Sequence, residues 1–288
     1  MRKLQVIVFA LFALRLFAAN PADLMTSGKA ALDRGDYEKA EELFAKAVAA
    51  DPKSAQAHYL LGAAYGEHAQ NANMFSQASL AKKTKAEFEK AVELDPSHIQ
   101  ARFALIDYYL IAPSFMGGSA EKAQAQVEEI RKRDALDGHR AQARVYSRQK
   151  KTDLARKEFV DAVREQPNSA KAHYFLGGFL INTDKNWAGA QHELDMAIKL
   201  DPAYMPPYFR IGQLAARSES NYARGEESLR KYLAYKPGEN EPNLASAWYW
   251  LGQMQQKQGK KAEAKQSYTN ALKLAPESKE IKEALKGL

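Results

Sequence analysis

Six prolines divide this chain into segments that share one pattern. They are Pro52, Pro96, Pro167, Pro202, Pro237 and Pro276. A small residue, a large apolar residue and a second small residue recur 12, 8 and 5 positions before the proline, as in Ala40, Phe44 and Ala47. Proline lacks the N–H that continues a helix and its ring clashes with the preceding turn, so each proline is expected to separate one helix pair from the next. The chain is therefore predicted to be an array of helical repeats.

A second motif precedes these segments, and it is most complete in the last repeat. The residues that carry the two motifs there are Trp248, Leu251, Gly252, Ala264, Tyr268, Ala271 and Pro276. This pattern resembles the tetratricopeptide consensus, a helix–turn–helix unit of about 34 residues. The resemblance implies an all-α, right-handed α-solenoid of about seven repeats, whose first helices line a concave surface.

The repeats are expected to fill nearly all of the chain after residue 20. Their predicted bounds are 21–54, 55–98, 99–135, 136–169, 170–204, 205–239 and 245–276. In the segment 277–288, Ile281, Leu285 and Leu288 lie on one helical stripe. This segment is therefore predicted to be a helix that caps the exposed core of the last repeat.

The first 19 residues are predicted to be a signal peptide. Arg2 and Lys3 precede the apolar run Leu4 to Leu14, and the segment ends in a small residue at Ala19. The run is shorter than the roughly 20 residues that a membrane-spanning helix needs. Export to the periplasm or the extracellular space, with cleavage near Ala19 and no stable membrane insertion afterwards, is expected. Because Arg15 lies close to the predicted cut, an uncleaved anchor is the alternative.

The charge distribution disfavours nucleic acid as a partner. The formal net charge is +7, and removal of the leader lowers it to +4 because the leader carries Arg2, Lys3 and Arg15 and no acid. The remaining Lys and Glu interleave along helices, as in residues 38–46, which is typical of a solvated face. The count of 0 cysteines excludes disulfides and thiolate metal sites.

The chain is predicted to be non-enzymatic and to hold no cofactor, because its histidines form no catalytic or metal-binding motif. His58, His139 and His173 share position 4 of the first helix, so they are predicted to be rings packed between helices. Asp36 and Asp184 precede second helices and are predicted to be helix caps.

Position 5 of the first helix is predicted to face the concave groove. It is occupied in the second to seventh repeats by Tyr59, Phe103, Arg140, Tyr174, Phe209 and Tyr249. A line of aromatic rings favours apolar or aromatic ligands, because each ring removes apolar area from water and a Tyr hydroxyl adds a directional hydrogen bond. The alternative is that the rings pack on the next repeat and complete the core. Gln213, at position 9 of the sixth repeat, is expected to face the same groove.

The first helix of the fourth repeat carries three arginines on one face, Arg140, Arg144 and Arg148. Guanidinium groups bind carboxylates and phosphates through paired hydrogen bonds, so this face is a candidate anion clamp. The alternative is that Asp134, Asp137 or an acid of a neighbouring repeat neutralises these charges.

Two repeats are enlarged between their helices, and each insertion carries an apolar pair. The second repeat has an insertion around residues 66–79 that includes Met74 and Phe75, and the third has one around residues 112–119 that includes Phe115 and Met116. Insertions that preserve the core of a repeat often lie on a functional face. The pairs are expected either to form a lip over one end of the groove or to fold back as staples on the helices they join.

The third repeat carries a further resemblance. Tyr108, Tyr109, Pro113 and the segment 117–123 are similar to tetratricopeptide domains of the regulator-of-microtubule-dynamics family and of exported components associated with TRAP-type transporters. Repeats of the latter group enclose an elongated ligand cavity. This resemblance implies a hydrophobic small molecule or a lipid-like ligand as an alternative to a peptide.

Together these features predict an exported scaffold or adaptor that binds an extended peptide or an exposed helix of an envelope protein in an aromatic groove. The alternative is a periplasmic carrier that encloses an apolar small molecule within the first four repeats. A third hypothesis is an architectural protein that oligomerises through the groove.

Overall fold

The computed structural model describes residues 20–238 and 240–288, and all regular structure in these ranges is helical. The helices are α1 (Pro21–Asp33), α2 (Tyr37–Ala50), α3 (Ala55–Asn71), α4 (Met74–Leu94), α5 (Ile99–Ile111), α6 (Ala120–Arg131), α7 (Ala135–Arg148), α8 (Thr152–Glu165), α9 (Ala170–Phe179), α10 (Trp187–Leu200), α11 (Pro206–Ser218), α12 (Tyr222–Leu233), α13 (Leu244–Lys257), α14 (Lys261–Leu274) and α15 (Lys279–Lys286). The predicted signal segment 1–19 lies outside the described residues. The all-α prediction is confirmed.

Helices that follow one another pack in pairs. The pairs are α1 with α2, α3 with α4, α7 with α8, α9 with α10, α11 with α12, and α13 with α14. By its contacts the chain divides into an N-terminal unit that ends at Gln126 and a C-terminal unit, Val127–Leu288. None of the helices described above is long and apolar enough to cross a membrane.

Prolines and short polar residues separate the pairs as the sequence predicts. Pro52 lies in the turn after α2, and Ser54 then accepts the N–H of Ala57 at 3.2 Å to start α3. The same arrangement follows α8, where Ser169 accepts the N–H of Ala172 at 3.2 Å. These caps satisfy backbone donors that the first turn of a helix leaves unpaired, so each helix starts at a defined residue.

The two helices of a repeat approach closely because a glycine on the first faces a large side chain on the second. A Cβ atom at Gly62 would lie 2.7 Å from Phe88 Cδ1, and one at Gly252 would lie 2.6 Å from Tyr268 Cε1. Tyr268 is fully buried. The large residue therefore fills the space that the glycine opens, and this contact recurs in both units.

The sixth repeat departs from the small–large–small pattern. Tyr232 stands where other repeats have alanine, and it is nevertheless fully buried. Its hydroxyl donates to the carbonyl oxygen of Pro242 at 2.6 Å. This bond ties the ring to the connection from α12 to α13.

Asp184 is not a helix cap, so that prediction was wrong. The chain continues past Phe179 in a π-helical turn, Leu180–Asp184, and α10 is capped instead by Asn186, which accepts the N–H of Gly189 at 3.0 Å. The Asp184 carboxylate accepts hydrogen bonds from Arg156 Nε at 2.5 Å and from Arg156 Nη2 at 2.9 Å. This two-pronged ion pair ties α8 to the end of the π turn. Asp36 does cap α2, by accepting the N–H of Lys39 at 3.2 Å.

The insertion of the second repeat is helical rather than a loop. Residues 66–71 extend α3, and α4 begins at Met74, so only Ala72 and Asn73 connect the two helices. In the third repeat a short 3₁₀ turn, Ser114–Met116, follows α5. Met74, Phe75 and Phe115 are all strongly exposed, so the staple interpretation was wrong for these three side chains.

Candidate functional site

Three of the predicted position-5 rings lie together in the C-terminal unit. Tyr174 is on α9, Phe209 on α11 and Tyr249 on α13, and α11 contacts both of the other helices. Tyr174 and Phe209 are 7% and 4% exposed, whereas Tyr249 is half-buried. The alternative prediction, that these rings complete the core, is therefore correct in part for Tyr174 and Phe209, because both belong to core clusters.

These rings also line a cavity of about 540 Å³. Gln213 lies in its wall, as do Arg210, Arg217 and Trp250, which the sequence analysis did not single out. The volume falls within the range of sites that hold a small ligand or a few residues of a peptide. We call this site the C-terminal cavity.

Arg210 brings a positive charge into the wall of the C-terminal cavity. Its Nη1 donates to Gln213 Oε1 at 2.6 Å, and its Cζ lies 5.6 Å from the ring centre of Tyr174 and 5.8 Å from that of Phe209. Its Nε is buried and has no hydrogen-bond partner among the described residues. Arg210 as a whole is only half-buried, so its guanidinium is partly accessible from the cavity, and guanidinium groups bind anions through charge-assisted hydrogen bonds.

The other charged groups of the cavity differ in how firmly they are held. The Arg217 guanidinium lies over the Trp250 ring, with Cζ 5.3 Å from the ring centre, and its side chain is exposed. Burial first, and then the interaction with the Glu280 carboxylate, raise the pKa of the Tyr249 hydroxyl, which accepts a hydrogen bond from Gln253 Nε2 at 3.2 Å. Glu241 accepts the N–H of Gly238 at 2.8 Å and so holds the connection between α12 and α13. Arg217 is thus the exposed cation at the rim, and the two glutamates already have partners.

Position 6 of the first helix was the signal that the sequence analysis missed. Arg210 follows Phe209 at this position, on α11. A Cβ at Gly178 on α9 would lie 3.4 Å from Arg210 Nε, which is an ordinary van der Waals distance, so Arg210 packs against α9 without depending on the glycine.

The predicted arginine clamp on α7 is engaged within the protein. Arg140 Nη1 forms an ion pair with Asp137, and Arg140 Cζ lies 4.0 Å from the ring centre of Phe175. Arg144 and Arg148 are exposed further along α7. Neither Arg140 nor Arg144 lines the C-terminal cavity, so an anion-binding role for this face stays a prediction.

The predicted site residues of the N-terminal unit lie in different surroundings. Tyr59 packs against Phe88 and His98, with ring centres 5.9 and 5.0 Å apart, and Phe103 on α5 is half-buried. Phe115 is 86% exposed, whereas Met116 is half-buried and its carbonyl oxygen accepts the Tyr108 hydroxyl at 3.0 Å. A small-molecule pocket within the first four repeats stays a prediction.

The position-4 histidines link the two helices of their repeats. His58, His139 and His173 each place Nδ1 within 2.6–2.8 Å of a glutamate on the second helix, and these glutamates are Glu87, Glu158 and Glu193. The prediction that these rings pack between helices is confirmed. Among the described residues, no group of three or more His, Cys, Asp or Glu side chains is placed to hold a metal ion.

Sequence models of the tetratricopeptide repeat match residues 25–72, 140–204 and 245–278, which together are about half of the chain. The chain belongs to the tetratricopeptide repeat family. The predicted α-solenoid of tetratricopeptide repeats is thereby confirmed as the fold class, and this fold generally serves as a protein-interaction scaffold. No curated protein matches the sequence significantly.

Solved structures resemble this tetratricopeptide repeat protein at low identity. One is a tetratricopeptide repeat protein from Parabacteroides merdae, with 18% identity and a TM-score of 0.50 over 92% of this chain and 97% of that chain. Another is the human IFIT1 dimer with m7Gppp-AAAA, with 20% identity and a TM-score of 0.55 over 94% of this chain and 62% of that chain. The chain thus spans less than two thirds of IFIT1, and these likenesses show the fold alone.

Proposed function

We propose that this protein is an exported, non-enzymatic scaffold that holds a segment of a partner protein in the C-terminal cavity. The observation that carries the proposal is the combination of aromatic walls with Arg210, whose charge lies in the wall without a carboxylate partner among the described residues. Arg210 is half-buried, and its guanidinium can form charge-assisted hydrogen bonds to an acid that the ligand supplies.

The chemistry of the cavity favours a peptide in which a carboxylate lies next to an apolar or aromatic side chain. Arg210 and Arg217 bind the carboxylate, and Tyr249 and Trp250 contact the apolar group. A phosphate backbone is disfavoured, because Glu241 and Glu280 lie in the same wall and repel repeated negative charge. The carboxylate belongs either to a C-terminus or to an Asp or Glu side chain.

Selection from a library of linear peptides tests this proposal. The enriched peptides are expected to carry an acid beside an apolar residue, and their affinity is measured by fluorescence anisotropy. Arg217→Gln is expected to weaken binding by about tenfold, because it removes one charge-assisted contact to the ligand, while the loss of an exposed contact with the Trp250 ring costs the fold little. Peptides with an amidated C-terminus then separate a terminal carboxylate from a side-chain carboxylate.

Arg224→Gln is the matched control, since Arg224 is also an exposed arginine of the C-terminal unit but does not line this cavity. It is expected to leave the affinity unchanged. Equal binding by Arg217→Gln, Tyr249→Ala and the unchanged protein, with circular dichroism showing all three folded, would refute the cavity as the binding site.

Export is part of the proposal and rests on the sequence of residues 1–19. N-terminal sequencing of the protein from the envelope fraction of its own cells tests it. A chain that starts at or near Asn20 supports cleavage and export, whereas an intact Met1 terminus in the cytosolic fraction contradicts both.

A further inference from the structure

The largest exposed apolar side chains among the described residues lie in the N-terminal unit, at its two enlarged junctions. Met74 and Phe75 are 80% and 93% exposed at the connection from α3 to α4, which we call the α3–α4 tip. Ile111 and Phe115 are 63% and 86% exposed at the connection from α5 to α6, which we call the α5–α6 turn. Clusters of large apolar groups in water usually mark an interaction surface.

Hydrogen bonds fix the α3–α4 tip in this exposed arrangement. Asn73 accepts the N–H groups of Phe75 and Ser76, both at 3.1 Å, so α4 starts with its apolar pair in solvent. Asn71 Nδ2 donates to the Tyr37 hydroxyl at 3.1 Å and ties the tip to the first repeat. Phe75 therefore lies exposed in the first turn of a capped helix and not on a loose loop.

The α5–α6 turn is held just as closely. Gly117 has a φ of 92°, and a Cβ at Gly118 would lie 1.7 Å from the carbonyl oxygen of Ala112, so glycine is required at both positions. The N–H of Ser119 donates to the carbonyl oxygen of Tyr109 at 2.9 Å and closes the turn. Phe115 therefore projects from a rigid turn.

Lysines of α4 lie between these two apolar groups. Lys82 and Lys83 are exposed, whereas Lys85 Nζ lies 3.6 Å from Glu89 Oε1. A Cβ at Gly117 would lie 3.0 Å from Lys85 Nζ, so the α5–α6 turn lies beside this lysine. Phe75 is ten residues from Lys85 along α4, which is about 15 Å at the rise of an α-helix.

We propose that this edge of the N-terminal unit binds an anionic lipid surface. Met74, Phe75 and Phe115 enter the interfacial layer, and the exposed Lys82 and Lys83 face the negative headgroups. A bilayer accommodates protruding apolar side chains without a matching pocket, whereas a protein partner needs a separate complementary hollow for each of the two projections. This contact is peripheral, and it does not depend on the C-terminal cavity.

Single-cysteine labelling tests the proposal, because the chain has 0 cysteines of its own. The full chain with Phe75→Cys or Phe115→Cys carries an environment-sensitive fluorophore, and Val160→Cys, an exposed apolar position in the C-terminal unit, is the control. With vesicles of phosphatidylcholine and phosphatidylglycerol, emission at positions 75 and 115 is expected to shift to the blue and rise severalfold, and position 160 to stay unchanged. The label reports its own surroundings, so a leader held at the membrane does not produce the signal.

Vesicle sedimentation provides the second measurement. Met74→Ser combined with Phe75→Ser is expected to lower partitioning by tenfold or more, whereas Leu154→Ser combined with Val160→Ser is expected to leave it unchanged. Lys82→Gln is expected to lower it by about fivefold on anionic vesicles and not on neutral ones. Unchanged emission at positions 75 and 115 on both kinds of vesicle would overturn the proposal and leave a protein as the occupant, and equal binding to neutral vesicles would overturn the anionic preference.

Discussion

Two glycines on one helix are expected to respond in opposite directions to the same substitution. Gly62 and Gly66 lie one turn apart on α3 and face α4. A Cβ at Gly62 would come within 2.7 and 2.8 Å of two ring atoms of Phe88, which is 6% exposed. A Cβ at Gly66 would lie 3.5 Å from Thr84 Cγ2, an ordinary van der Waals contact.

The magnitudes follow from two competing effects. Replacing glycine by alanine inside a helix favours folding by about 0.8–1 kcal/mol, and at Gly66 no clash opposes this gain. At Gly62 the new methyl group forces the Phe88 ring to move by about 1 Å, and such overpacking costs about 1–3 kcal/mol. We therefore expect Gly66→Ala to raise the free energy of unfolding by somewhat less than 1 kcal/mol and Gly62→Ala to lower it by about 1 kcal/mol.

Urea denaturation followed by far-ultraviolet circular dichroism measures both variants. Because repeat arrays can unfold in parts, hydrogen exchange at the amides of α3 and α4 then shows where stability has changed. In the Phe88→Leu background the clash is relieved and the helix propensity of alanine remains, so Gly62→Ala is expected to raise the free energy of unfolding there and not to lower it. If both variants change stability with the same sign, the close approach at Gly62 does not restrict the packing of this repeat.

Two further perturbations test the packing of the C-terminal unit. His173→Ala is expected to lower the free energy of unfolding by about 2 kcal/mol, because it leaves Glu193 and the Pro167 carbonyl oxygen without their hydrogen bonds at 2.6 and 3.0 Å. The control is His192→Ala, at an exposed histidine, which is expected to change the free energy of unfolding little. Equal thermal midpoints for the two variants would contradict this prediction. Burial raises the pKa of Tyr268 from its ordinary value of 10.0 to about 12, so its ionisation is favoured in the unfolded chain and stability is expected to fall as the pH rises through this window. Denaturation at several alkaline pH values, with tyrosinate absorbance as a second readout, checks this, and Tyr268→Phe is expected to reduce the slope.

The repeat fold was predictable from the sequence because each of its determinants is local and recurs. A proline, a capping serine and a glycine–aromatic pair such as Gly252 and Tyr268 stand at fixed spacings, so one repeat confirms another. The helical form of residues 66–79 is also indicated by the local sequence. Residues 67–94 contain neither Gly nor Pro and are rich in good helix formers, which favours two lengthened helices over a loop.

The charged part of the C-terminal cavity was not predictable in the same way. Arg210 packs against Gly178 of the preceding repeat, and Gln213 holds its guanidinium from one turn further along α11. Such a pairing depends on which residues face each other across repeats. Spacing within a single repeat does not show it.

The residues that shape the C-terminal cavity and the residues that test it are different. Tyr174 and Phe209 form its wall, but each is also buried in a core cluster, so replacing either ring disturbs folding and binding together. Arg217 is exposed and lies over the Trp250 ring rather than in a core cluster, so its loss is expected to affect ligand binding far more than folding. A loss of binding in Arg217→Gln with unchanged stability would therefore locate the ligand in the C-terminal cavity. A loss of binding in Tyr174→Ala would not, because that variant also disturbs the core.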